Sequence, residues 1–151
     1  MSFEKGPYLT VATFCEQVIE DKSGVLSLIR IVDRMNMTTQ GPTAPERMPP
    51  ANLNWFLVLN LKSGEARGSV AVKIEPELPS GLKLSPLTLS AHLEGGNRGQ
   101  NIITRLDMRL EMPGVYWFWI YVDEVFLTKV PIEVIYSRIV TPPPPPPPPS
   151  P

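Results

Sequence analysis

Val115-Tyr116-Trp117-Phe118-Trp119-Ile120-Tyr121-Val122 is the stretch on which the reading of this chain turns. Pro113-Gly114 sets it off from what precedes, and Asp123-Glu124 follows it. Its alternation has the period of a β-strand rather than a helix. On a strand, Tyr116, Phe118, Ile120 and Val122 share one face, while Val115, Trp117, Trp119 and Tyr121 share the other. The first is a core face. The second is also large and apolar, which a strand with one solvated side does not require. A covering loop or sheet, a partner surface and a stacked ligand are the candidates for what meets it.

Strand patterning continues in both directions. Downstream, Phe126, Val130, Ile132, Val134 and Tyr136 make a return strand, and Pro131 inside it predicts an edge position or a bulge. Upstream, Ile102, Thr104, Leu106, Met108 and Leu110 alternate with Arg105, Asp107, Arg109 and Glu111, as on a strand with one wet face. The turn before it is Gly95-Gly96-Asn97-Arg98-Gly99, and before that Leu87, Leu89, Ala91 and Leu93 alternate with Thr88, Ser90 and His92. Val70, Val72 and Ile74 mark another strand. Leu53, Trp55, Leu57, Leu59 and Leu61 alternate with Asn54, Phe56, Val58 and Asn60, and the apolar centre of both faces predicts a central strand. Residues 7–19 and 25–32, joined by Glu20-Asp21-Lys22-Ser23-Gly24, read as a hairpin.

One segment breaks the rhythm. Residues 35–51 contain Pro42, Pro45, Pro49 and Pro50 and read as a connection without periodicity, of a length usually reserved for binding loops or disorder. It reads as a mobile excursion between sheets or, through its Met35, Met37 and Met48, as a lid packed over an exposed apolar face. With short strands, frequent turns and no amphipathic helix, the expected fold is all-β: an antiparallel sandwich of seven to eight strands with immunoglobulin-like topology.

The closing segment carries a resemblance. Pro113-Gly114-Val115-Tyr116-Trp117-Phe118-Trp119-Ile120-Tyr121-Val122-Asp123, then Leu127 and Pro131-Ile132-Glu133-Val134, resembles a recurring ending of immunoglobulin-like sandwiches. There, Gly-x-Tyr-x-Phe-x-Ile-x-Val-Asp forms the penultimate strand and Pro-Ile-x-Val the return. With Phe14-Cys15-Glu16 and residues 24–33, the chain is similar to an uncharacterised bacterial family of small all-β proteins over roughly residues 8–136. The resemblance implies a fold and no activity. Immunoglobulin domains pair two cysteines across their sheets, and this chain has one.

Composition bounds the function. The 151 residues hold one domain, residues 1–140, followed by a proline-rich tail, residues 141–151. With 14 basic and 15 acidic side chains, the net charge of −1 gives neither the basic stripe of a nucleic-acid binder nor the basic patch of a membrane-surface protein. A single cysteine, no signal-like start and no long apolar run predict a cytoplasmic protein. Cys15 and His92 are each the only residue of their type, so no zinc set of Cys and His is available, and the acidic pairs at turns do not cluster as calcium ligands. A nucleophile needs an oriented base beside it, and nothing places His92 beside Cys15. The expectation is no catalytic residue, no metal and no cofactor.

Two surfaces remain. The Trp117, Trp119, Tyr121 stripe is one. The other is the proline run at residues 142–149, from Pro142 through Pro145 to Pro149, which is disordered as a tail yet stiff. Its residues have a fixed φ and no N–H, and its polyproline II form reaches about 25 Å. Such a run serves as a spacer or docks in an aromatic-lined groove. Arg138 stands one position out of register for an Arg-x-x-Pro-x-x-Pro ligand. The expected function is a non-enzymatic protein-interaction or scaffolding module. Trp117, Trp119, Tyr121, Met35, Met37, Met48 and the prolines would meet a protein partner or a second copy, or a polyproline-binding domain in the case of the tail. A small-ligand or carbohydrate-binding module is the alternative, and a hydrolase a distant third.

Overall fold

The structure, a computed structural model, describes residues 5–151. Nine strands run in chain order: β1 (Tyr8–Glu20), β2 (Leu26–Val32), β3 (Arg34–Gly41), β4 (Ala51–Gly64), β5 (Gly68–Glu77), β6 (Leu87–Leu93), β7 (Gly96–Leu110), β8 (Gly114–Val122) and β9 (Val125–Val140). They form two sheets, one of four strands in the order β2-β1-β4-β7 and one of five in the order β3-β9-β8-β5-β6. The core lies between them. Leu53, Leu57, Leu59 and Leu61 of β4 face Tyr116, Phe118, Ile120 and Val122 of β8, all buried. Phe14 of the first sheet meets Phe118 of the second edge-on, with ring centroids 4.9 Å apart.

The strand order is that of an immunoglobulin-like sandwich. β1, β4 and β7 correspond to strands A, B and E of one sheet, and β5, β8 and β9 to C, F and G of the other, with β6 as an added C′. A further mark of that fold is a tyrosine near the start of F whose hydroxyl returns to the backbone just upstream. Tyr116 fills this role. Its buried hydroxyl donates to the Met112 carbonyl at 2.6 Å, and burial pushes its pKa above the ordinary tyrosine value. Gly114, which opens β8, has φ +128°, and a Cβ there would lie 2.7 Å from Cβ of Pro79. Only glycine fits that turn.

Two expectations are corrected. The connection at 35–51 is not structureless. Residues Arg34 to Gly41 form β3, which pairs in parallel with β9 from Arg34↔Glu133 to Gly41↔Val140, the one parallel pairing in the sandwich's described residues. The strand count is therefore nine rather than seven to eight. Nor do the methionines lie over the aromatic stripe. Met48 is 5% exposed within the core, and Met35 and Met37 pack against that core from β3. A strand belonging to the same sheet as β8 cannot lie over that sheet's outer face.

Pro131 is placed as expected of an edge, though only locally. β3 joins β9 at Glu133, so at Pro131 the strand has β8 alone beside it. The bulge of β9 lies elsewhere, opposite the step from Ile120 to Tyr121. The Asp123-Glu124 turn has φ values of 47° and 65° at its two residues, the left-handed pair that matches a twisted two-residue hairpin. Asp123 is tied to the neighbouring strand, its carboxylate accepting from the Ala71 N–H at 2.8 Å and its own N–H donating to the Ala71 carbonyl at 2.8 Å.

Candidate interaction face

The second face of β8 points away from the core, on the outer side of the five-stranded sheet. Trp117, Trp119 and Tyr121 are each half-buried there. Pairing sets their neighbours. Trp119 lies between Glu75 of β5 and Lys129 of β9, Trp117 between Glu77 and Pro131, and Tyr121 between Lys73 and Phe126. What covers the rings is side chains of the same sheet and its flanking turn.

Lysines supply most of that cover. Lys129 Nζ is 4.1 Å from the Trp117 ring centroid and 4.9 Å from that of Trp119. Lys83, from the β5–β6 connection, is 4.8 Å from the Trp119 centroid and pairs with Glu75 at 3.3 Å. Lys73 is 4.6 Å from the Tyr121 centroid and bonds Glu124 at 2.6 Å, which raises its pKa above the ordinary lysine value. Such contacts contribute roughly 0.5–1 kcal/mol each where water has access. Trp119 Nε1 donates to Glu77 at 2.7 Å, so the indole's polar edge is satisfied within the sheet. Phe126 extends the surface, 47% exposed and 5.5 Å from Trp119 by ring centroids. Val115, 37% exposed, continues it at the other end. The result is a strip of apolar rings edged by carboxylates and topped by ammonium groups.

The four-stranded sheet treats its second face differently. β1 pairs with β4 only as far as Cys15, and its far half pairs with β2 alone. Arg30, at φ 55°, stands at this change and pairs with Glu16 at 2.8 Å. Thr10 and Val11 from the start of β1 and Gly24, Val25, Leu26 and Leu28 from the hairpin's far end line one cleft of ≈ 480 Å³, so the hairpin folds back over this sheet. Val58, on the cleft floor, is 1% exposed, which accounts for the apolar second face of β4.

The remaining predicted groups are scattered. Cys15 is buried in β1, where desolvation pushes its thiol pKa up, the opposite of an activated nucleophile. His92 is exposed on β6 of the other sheet. Among the described residues, no group of His, Cys, Asp or Glu is arranged to hold a metal ion, and no helix is long and apolar enough to cross a membrane. Pro142, Pro145 and Pro149 are exposed, in a segment outside any strand. Arg138 is not free to flank them, since its Nε donates to the Ala44 carbonyl at 2.8 Å. Sequence reading named the rings of the interaction face and missed Lys73, Lys83, Lys129 and Glu77. The alternation of β5 sets Lys73 opposite Val72 and Ile74, but only strand pairing shows that its face adjoins the aromatic rings.

Fold and surface together define a small all-β protein of immunoglobulin-like topology that turns an aromatic, lysine-capped strip outward. A family model matches residues 10–135, and the chain belongs to that family, a family of unknown function (DUF6941). No curated protein matches the chain. Solved structures with similarity include the alkylpurine DNA glycosylase AlkC of Pseudomonas fluorescens bound to DNA containing an abasic site analog, at 16% identity and TM-score 0.42, covering 68% of this chain and 27% of that one. A Listeria innocua β-glucosidase in complex with isofagomine is similar at 10% identity and TM-score 0.47, covering 85% of this chain and 17% of the enzyme. This chain thus spans about a quarter of the first protein and a sixth of the second. An immunoglobulin-like protein from Pseudomonas aeruginosa is similar at 11% identity and TM-score 0.39, covering 86% of this chain and 97% of that one.

Proposed function

We propose that this chain is a non-enzymatic interaction module whose contact surface is the outer face of the five-stranded sheet, centred on Trp117, Trp119 and Tyr121. The observation that carries this reading is that these rings lie half-buried on the outer face of their sheet, capped among the described residues by Lys73, Lys83 and Lys129 side chains, beside exposed Phe126 and Val115. Tryptophan and tyrosine dominate interface hot spots because they bury much area at little ordering cost. The lysines do not oppose this. Their cation–π contacts are weak enough to be exchanged for those of a partner, and they keep the rings dispersed in water until one arrives. They weigh against a sugar platform on this face, since ammonium groups stand where a pyranose ring would stack.

The test is the Trp119→Ser variant of the full chain, compared with the unaltered chain by sedimentation over a wide concentration range. Loss of a concentration-dependent assembly, with the melting transition retained, supports the reading. A chain that stays monomeric at every concentration, and whose tryptophan emission no added protein alters, overturns it. Small-ligand binding is a second reading, favoured by the mostly apolar cleft under the β1–β2 hairpin. It predicts that apolar probes bind and that Leu28→Trp blocks them.

A further inference from the structure

Two features of the chain, the aromatic strip and the proline run, match each other in chemistry and are kept apart by the fold. We infer that the strip on β8 is a polyproline-binding surface and that its occupant is the run at residues 142–149 of a second copy of this chain. The inference rests on the reading of that face as the contact surface.

The chemistry is complementary. Polyproline II segments dock across parallel aromatic rings at low ordering cost, because their backbone is already extended and rigid. Trp117, Trp119 and Tyr121 stand on one face of one strand, two residues apart, and so recur about every 7 Å over about 14 Å. The run of eight prolines spans about 25 Å, enough to cover all three rings. It carries no charge and no N–H, so it asks nothing of the site but flat apolar surface and donors for its carbonyls. Lys129 and Lys83, already poised over the indoles, are such donors.

Geometry excludes the same molecule's own run. β9 passes the strip early, with Lys129 opposite Trp119 and Pro131 opposite Trp117, and then continues to Val140. Val140 is nine residues past Pro131 and eleven past Lys129, or about 30 and 37 Å at the rise of a strand. The Thr141 N–H is held by the Gly41 carbonyl at 3.2 Å, so the prolines depart from the far end of β9. Even with full reversal at Thr141, residues 142–149 would reach back only about 25 Å, short of both tryptophans. Proline's fixed φ makes that reversal harder still. The strip of one copy and the run of another are free to meet, and each copy carries both halves of the contact.

Complementation tests this. The chain ending at Thr141 keeps every core residue, since residues 142–151 are exposed throughout, and it retains the strip without the run. The Trp119→Ser full chain keeps the run with a damaged strip. The unaltered chain is expected to self-associate, each variant alone to do so at least about tenfold more weakly, and an equimolar mixture of the two to pair. A synthetic peptide of residues 141–151 is expected to shift tryptophan emission of the shortened chain and to leave that of its Trp119→Ser form unshifted. If the shortened chain self-associates as well as the full one while Trp119→Ser abolishes association, the strip is an interface but the proline run is not its occupant, and this inference fails alone. If Trp119→Ser changes neither association nor peptide binding, the reading of the face fails with it. Melting curves of both variants show whether loss of association is loss of fold.

Discussion

Phe118 and Trp117 are adjacent in sequence and opposite in environment, and replacing each with alanine tests the register that sends one ring to the core and the other to the outer face. Phe118 is 0% exposed and packs edge-on against Phe14 at 4.9 Å between centroids, joining the two sheets. Phe118→Ala removes a fully buried ring from the centre of the sandwich, and such truncations cost about 3–5 kcal/mol. Trp117 is half-buried on the outer face. Its contact with Lys129, 4.1 Å from the ring centroid, contributes roughly 0.5–1 kcal/mol. Half the burial of a large side chain adds about 1–1.5 kcal/mol. Trp117→Ala should therefore cost about 2 kcal/mol, near half the Phe118 value, although tryptophan is the larger residue. Urea unfolding followed by far-ultraviolet circular dichroism measures both, and a shared slope shows that only stability has changed. A Trp117→Ala cost equal to or above that of Phe118→Ala would mean that the outer ring is structural core, and the strip would then not be available to a partner.

Other outcomes follow from single contacts. Tyr116→Phe deletes the hydroxyl bond to the Met112 carbonyl at 2.6 Å and strands a carbonyl at the turn into β8; about 1–3 kcal/mol should be lost in the same urea assay. Asp21 accepts from Ser23 Oγ at 2.6 Å and from the Ser23 and Val25 N–H groups at 2.8 and 3.1 Å, and the bond from the Ser23 hydroxyl leads in lowering its pKa. Because the folded value is the lower one, its contribution is present above the ordinary carboxylate pKa and lost as pH falls through the depressed value. Asp21→Asn should flatten that acid limb of the stability profile. Cys15 titrates in the opposite sense. Burial raises its folded pKa, so its contribution is complete below the ordinary thiol value and lost as pH rises through the raised one. A thiol reagent at neutral pH should label it only at the rate at which the chain opens, and rapid native labelling would contradict its burial. Removing residues 142–151 should leave the melting temperature unchanged at concentrations low enough for the chain to be monomeric, because none of them is buried.

Much of this molecule is legible without coordinates, for a local reason. A strand writes its two faces into alternate residues, so the core face of β8, the wet face of β7 and the doubly apolar centre of β4 could all be assigned from residue types alone. β3 could not. Its alternation is carried by Met35, Met37 and Thr39 against Asn36, Thr38 and Gln40, a faint contrast beside the prolines that follow, and its partner β9 lies about a hundred residues away. Parallel pairing over that distance leaves no turn signal to read. Sequence likewise determined that Trp117, Trp119 and Tyr121 share a face, because that follows from period alone. What lies over that face was decided by tertiary structure, since cover depends on which strands are neighbours. Folding placed the β1–β2 hairpin over β4, gave the methionines to the core and set Lys73, Lys83, Lys129 and Phe126 against the rings of β8. It also carried the proline run to the far end of β9, beyond Val140.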